Sequence, residues 1–168
     1  VSCQVEIASE YRYRTVRVPP NTLFLTLSQS GETADTLEAL RIARAAGYVA
    51  SLAICNSAHS SMVRESDLTM MTHAGAEIGV ASTKAFTTQL LCLLLVTLIL
   101  ARRRGMSAER EAEFVSLVMY TASAVEQALS MNHALMEVAE DFSEKQHTLY
   151  LGRGPMWPRH PASVRSLP

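Results

Sequence analysis

In the stretch Ser28-Gln29-Ser30-Gly31-Glu32-Thr33, three hydroxyls, a carboxamide and a glycine stand between an apolar run and a helical pattern that opens at Ala34. A helix N-terminus offers backbone N–H groups without intrahelical partners and the positive end of the helix dipole, and the two together attract anions. Ser28, Ser30 and Thr33 add hydroxyl donors, Gln29 adds an amide, and Gly31 lets the backbone come close to a bound group. No lysine lies in the loop, so it is not a Walker A nucleotide site. A neutral, hydroxyl-rich cradle suits a monophosphate. Ordinary capping is the competing reading, and on spacing alone it is slightly favoured, because Ser, Thr and Gly are common at such places. One cap, however, uses one hydroxyl. Glu32 is expected to point away from a phosphate and brace the loop, since adjacent anions repel.

Such a loop needs a strand before it and a helix after it. Residues 22–28 are apolar and β-branched and read as a buried parallel strand. Residues 34–46 carry Leu37, Leu40 and Ala43 on one face, and Gly47 stops the helix. Residues 48–55 and 68–74 read as two more buried strands, separated by a loop at 56–60 and a short helical turn through Arg64. Residues 3–9 alternate and read as a short strand. Residues 75–82 form a glycine-punctuated loop, and 83–104 an apolar helix ended by Gly105. Ser107 caps a helix that runs to Leu129, with Glu109 in its first turn. A further helix covers 132–141, and 147–154 is strand-like again. Strands alternating with helices predict an α/β fold, a parallel sheet covered by helices on both faces. In such sheets ligands bind beyond the C-terminal ends of the strands, where residues 28–33 lie.

The chain has 168 residues, 48% of them hydrophobic and 18% charged, which is a globular composition of about one domain. A net charge of -1 argues against a general nucleic-acid binder. Arg102, Arg103 and Arg104 read as the basic end of a helix. Cys3, Cys55 and Cys92 are odd in number and lack metal-site spacing, so they read as small buried hydrophobes in a reducing cytoplasm. His59 and His73 also lack ligand spacing and read as loop or strand-end residues. The apolar run 90–101 is shorter than the about 20 residues a membrane span needs, so it reads as a core helix and no membrane partner is expected. No signal peptide opens the sequence.

Four stretches, TLSQSGETADTLEALRIAR, SLAICN, SSMVRESD and AGAEIGVASTKAFTTQ, together resemble the isomerase half of the glutamine–fructose-6-phosphate aminotransferase family, which is built of two sugar-isomerase (SIS) domains. CQVEIASEYRYR and EDFSEKQHTLYLGRG resemble it in the same order, so the similarity runs from residue 3 to residue 158. SQSGET alone indicates only some SIS domain; EIGVASTKAFTTQ following it is far more specific. The resemblance implies a flavodoxin-like parallel sheet with strand order 2-1-3-4-5. It implies a first SIS domain over residues 1–104, truncated of its first and central strand. A helical connector over 105–145 and the start of a second SIS domain over 146–158 would follow, with a divergent tail at 159–168. By the same resemblance, Ser28, Gln29, Ser30 and Thr33 hold a sugar phosphate, while Val80 (through its backbone) and Ser82 contact the sugar. Ser82 also fits the N-cap of the helix from Thr83, and the two roles are compatible. Glu77 reads as a loop-ordering residue only.

The implied activity converts fructose 6-phosphate and glutamine to glucosamine 6-phosphate, with no metal and no organic cofactor. The implied partners are a small-molecule phosphosugar and a second copy in a homodimer. The family's glutaminase domain would precede this chain. Its catalytic Glu, His and Lys would follow Gly154, so no catalytic residue is expected here and the isolated piece is expected to be inactive. Without the first strand, residues 3–9 would lose their neighbour. Unpaired buried backbone groups cost about 1–3 kcal/mol each, so low stability is expected of the isolated chain. The tail RHPASVRSLP has two prolines and no helical stripe, and reads as a frame-shifted or divergent end. Two alternatives stay open. A SIS sensing module of a transcription regulator would bring a helix-turn-helix, which this sequence lacks. Another phosphosugar isomerase would keep the fold and change the chemistry.

Overall fold

A computed structural model describes residues 1–78 and 82–147. The chain divides into two compact units, Val1–Met106 and Ser107–Pro168. In the first unit the order is α1 (Ala8–Tyr11), β1 (Leu23–Ser28), α2 (Ala34–Ala46), β2 (Ala50–Cys55), α3 (Ser61–Glu65), β3 (Leu68–Met71) and α4 (Lys84–Arg103). The three strands form one parallel sheet in the order β1-β2-β3, with Ser28 opposite Cys55 and Cys55 opposite Met71. All three strands therefore end on the same edge, and the loops that follow them converge there.

The α2 boundaries follow the sequence. Leu37, Ala39, Leu40 and Ala43 are its buried face, and Gly47 ends it in the left-handed conformation at φ 93°. Leu37, Leu40, Ala53 and Met62 make the core, with Phe24 packed against them. Leu40, Ala53 and Met62 are fully buried, and Leu40 and Met62 each contribute roughly 1.5–3 kcal/mol of hydrophobic stabilisation. Side chains alternate along a strand, so Phe24, Thr26 and Ser28 face this core while Leu23, Leu25 and Leu27 face the other way. Short α1 docks through aromatic contacts: Tyr11 lies 5.3 Å from Phe24, and Phe24 lies 5.0 Å from Tyr48, centroid to centroid. Burial, reinforced by the Tyr48 hydroxyl, raises the Tyr11 phenol above its ordinary value. At the start of β3, Asp67 accepts from the Ser51 N–H and hydroxyl at 2.7 and 2.6 Å, which sets the β2–β3 register.

Several expectations are corrected. Residues 1–7 form no strand. Val1, Val5 and Ile7 are exposed, and these residues pair with no strand among the described residues. Alternation favours an extended chain, but a strand requires a hydrogen-bonded neighbour. The second sheet face is only partly covered. Helix α4 packs on β2, where Ile54 is fully buried, while Leu23, Leu27 and Leu68 remain 37%, 42% and 55% exposed. Cys55 and Cys92 are buried as expected, but Cys3 is exposed because its segment joins no sheet. Helix α4 has 20 residues and holds an 18-residue stretch of mean hydropathy 1.9, long and apolar enough by length and composition to cross a membrane, so the length argument drawn from residues 90–101 does not hold for the whole helix. Its buried residues, Ala85, Cys92 and Leu98, give it a role in the first unit.

The second unit contains α5 (Ala108–Leu129) and α6 (Asn132–Phe142). Ser107 caps α5 by accepting from the Arg110 N–H at 3.3 Å, as its sequence position predicts. The strand expected at 147–154 and the tail at 159–168 lie outside the described residues.

Candidate functional site

The sequence β1–loop–α2 brings Ser28, Gln29, Ser30 and Thr33 together at the C-terminal edge of the sheet. Two hydroxyls in this loop act as acceptors. Ser28 Oγ, nearly buried, accepts from the Gly31 N–H at 2.9 Å, and Ser30 Oγ accepts from the Glu32 N–H at 3.2 Å. Each hydroxyl keeps its own proton, for which the described residues provide no acceptor. Thr33 is the N-cap of α2, yet its side chain makes no capping bond. Thr33 thus gives α2 no side-chain cap, while Ser28 and Ser30 hold N–H groups of their own loop. Beside the first turn of α2, Ser30 and Thr33 are exposed and Ser28 is nearly buried.

The neighbouring helix starts are closed by contrast. At α3, Ser60 Oγ accepts from the Val63 N–H at 3.4 Å, and Glu32 Oε1 accepts from the Ser61 N–H at 2.7 Å. The Gly31 carbonyl takes the Met62 N–H at 3.1 Å. Glu32 thus points away from the cradle and bolts the loop to α3, as its charge predicts. The Ser61 N–H, with Arg64 nearby, holds the Glu32 carboxyl below its ordinary range. At α4, Glu77 Oε2 accepts from the Ala85 N–H at 3.0 Å and from the Ser82 hydroxyl at 3.4 Å. The N-cap of α4 is Thr83, so Ser82 does not cap it; Glu77 does, because a carboxylate accepts N–H groups more strongly than a neutral hydroxyl. Val80 lies outside the described residues.

Gly31 is fixed from two directions. Its φ is +68°, and a Cβ there would stand 2.1 Å from Ser60 Oγ, 2.5 Å from Ser60 Cβ and 2.7 Å from Cys55 Sγ. The loop is pressed onto a shelf made by Ser60 and Cys55, both essentially buried. Sequence reasoning missed this shelf and missed Asn56, which follows β2 and bonds Gln29 on one side and Thr72, Ala74 and Gly75 on the other. The signal available was the position of small polar residues just past a strand end.

A cavity of about 160 Å³ lies elsewhere, lined by Phe24, Ala43, Arg44, Tyr48 and Asp67. Its charged groups are already engaged: Arg44 donates to the Glu65 carbonyl, and Asp67 binds Ser51. The loop edge, not this cavity, has donors to offer.

Residues 1–99 match the SIS domain family. The chain belongs to the SIS domain family. The chain is 57% identical over 159 residues to "Glutamine--fructose-6-phosphate aminotransferase [isomerizing]" of Haemophilus ducreyi, covering 94% of this chain and 26% of that protein. The protein of the same name from Pseudomonas syringae pv. tomato is 58% identical at the same coverage. The chain thus spans about a quarter of the length of these curated relatives. Among solved structures, the C-terminal domain of glucosamine-fructose-6-phosphate aminotransferase from Francisella tularensis superposes at a TM-score of 0.85 with 49% identity, over 92% of this chain and 43% of that one. Glucosamine-6-phosphate deaminase from Thermotoga maritima superposes at 0.53 with 25% identity, over 65% of this chain and 33% of that one. The parallel three-stranded sheet with its helices is the SIS fold.

Proposed function

We propose that residues 28–33 bind the phosphate of a sugar phosphate, and that this SIS domain is the phosphosugar-binding part of a glutamine–fructose-6-phosphate aminotransferase. The observation that carries the reading is the uncapped start of α2. Three hydroxyls stand in the loop that leads into it, none caps it, and the starts of α3 and α4 are closed by carboxylates. A phosphate would complete the set, since its oxygens accept from N–H and O–H donors and its charge meets the positive end of the dipole.

In this reading Ser28, Ser30 and Thr33 donate hydroxyl protons, Gln29 adds its amide, and the α2 N–H groups complete the cradle. Val80 and Ser82 serve the sugar end. Residues 1–104 form the sugar-phosphate lobe, 105–145 a helical connector and 146–158 the start of a second lobe. The reaction, fructose 6-phosphate plus glutamine to glucosamine 6-phosphate plus glutamate, belongs to the longer protein, and its proton-transfer groups lie outside this chain. A homodimer and a cytoplasmic setting belong to the same reading. Relatives named as aminotransferases at 57% and 58% identity favour it over a sensing module.

Calorimetric titration of fructose 6-phosphate into the 168-residue chain, with fructose as control, tests the reading. Binding is expected for the phosphate ester alone and is expected to weaken in Ser30→Ala and Thr33→Ala. Equal binding of fructose, or unchanged affinity in both variants, contradicts it.

A further inference from the structure

Asn56 joins the two loops of the site. Its backbone N–H donates to the Gln29 carbonyl at 3.2 Å, on the phosphate loop. Its side chain reaches the loop after β3. Oδ1 accepts from Thr72 Oγ1 and from the Ala74 N–H, both at 2.9 Å, and Nδ2 donates to the Gly75 carbonyl at 2.7 Å. These backbone partners fix the orientation of the amide, because the Ala74 N–H can only donate and the Gly75 carbonyl can only accept. The chain turns around this amide through two left-handed residues, His73 at φ 51° and Gly75 at φ 71°. A left-handed histidine is uncommon, and the three bonds to one side chain offset its strain. Two residues beyond Gly75 stands Glu77, which receives the Ser82 hydroxyl.

The two loops are anchored differently. The phosphate loop has its own bolts to α3, at Gly31–Met62 and Glu32–Ser61. In the second loop the Thr72 N–H is held by the Cys55 carbonyl; past it, Ala74 and Gly75 are held by Asn56. Loosening Asn56 therefore frees the second loop at Ala74 and Gly75, ahead of the Glu77 bond to α4, and leaves the first in place.

We propose that Asn56 is a positioning residue. It sets the separation between the phosphate loop and the loop carrying Glu77 and Ser82, and so makes the site select a phosphate ester with a hydroxylated carbon chain over inorganic phosphate. This rests on the sugar-phosphate reading above and adds the residue that joins its two halves.

The test titrates fructose 6-phosphate and inorganic phosphate separately into wild type and Asn56→Asp. Aspartate keeps the shape and both acceptor bonds but sets an oxygen against the Gly75 carbonyl. Fructose 6-phosphate affinity is expected to fall about tenfold, the size of one hydrogen bond exchanged for a carboxylate–carbonyl repulsion, while phosphate affinity stays within about twofold. Thr72→Val, which removes one bond to Oδ1, is expected to shift the same ratio by about threefold, and it decides the matter if Asn56→Asp does not fold. Wild type that binds neither ligand refutes the sugar-phosphate reading and this inference with it. Wild type that binds both, with variants that weaken both ligands alike or neither, overturns the inference alone.

Discussion

Gly31→Ala is the sharpest perturbation the structure offers. Two costs add. The backbone sits at φ +68°, where a residue with a Cβ costs roughly 1–2 kcal/mol more than glycine. The new methyl would also stand 2.1 and 2.5 Å from Ser60 atoms and 2.7 Å from Cys55 Sγ, and overpacking of that kind costs about 1–3 kcal/mol. Together they predict a loss of about 2–5 kcal/mol, a large part of an ordinary domain's stability. With a urea m-value of about 2 kcal/mol/M, the unfolding midpoint falls by about 1–2.5 M at unchanged m. Ser60→Gly removes two of the three close contacts, and as an N-cap change it costs only a few tenths of a kcal/mol by itself. The double variant should recover the Ser60 share of the crowding and keep the dihedral part and the Cys55 contact. Urea melts of the four proteins measure this cycle. A Gly31→Ala midpoint indistinguishable from wild type, or a double variant no better than the single, refutes the shelf argument.

Other expectations follow from single contacts. Leu40→Ala empties a fully buried core position and should cost about 2–5 kcal/mol in the same urea assay. Glu77→Ala removes the acceptor at the start of α4; a loss of about 1 kcal/mol and faster amide exchange at Ala85 are expected, with no change at Met62. The acid limb of stability is set by carboxyls held below their ordinary values: Glu32 by the Ser61 N–H, Glu65 by Arg41 and Asp67 by Ser51. A depressed folded pKa contributes stability that is full above the unfolded value and is lost as pH falls through the folded one. Stability should therefore hold from neutral pH to about 5 and decline below about 4. Melting temperatures across that range check it, and Glu32→Gln should flatten part of the decline.

The legible parts of the sequence were those where one local rule acts alone. Helix α2 begins and ends where Thr33 and Gly47 place it, and Ser107 opens α5. The outward turn of Glu32 followed from charge. Residues 3–9 misled because alternation reports a preference for extension and says nothing about a pairing partner. The roles of Cys55, Ser60 and Asn56 were hidden because each depends on contacts across the sheet edge: Ser60 meets Gly31 from a different loop, and Asn56 meets residues 72–75. Ser82, expected to contact the sugar, also fits a cap by its position next to a helix, whereas Glu77, five residues away, takes the capping place through tertiary geometry.

The central claim is that the start of α2 is an anion site formed by residues 28–33. Amide chemical-shift mapping with inorganic phosphate added to the 168-residue chain tests it most directly. The account predicts saturable shifts that are largest at the N–H groups of Gly31 through Thr36 and are lost in Thr33→Ala. Saturable shifts centred instead on Arg102, Arg103 and Arg104, or no saturable shift in the α2 first turn, would contradict it.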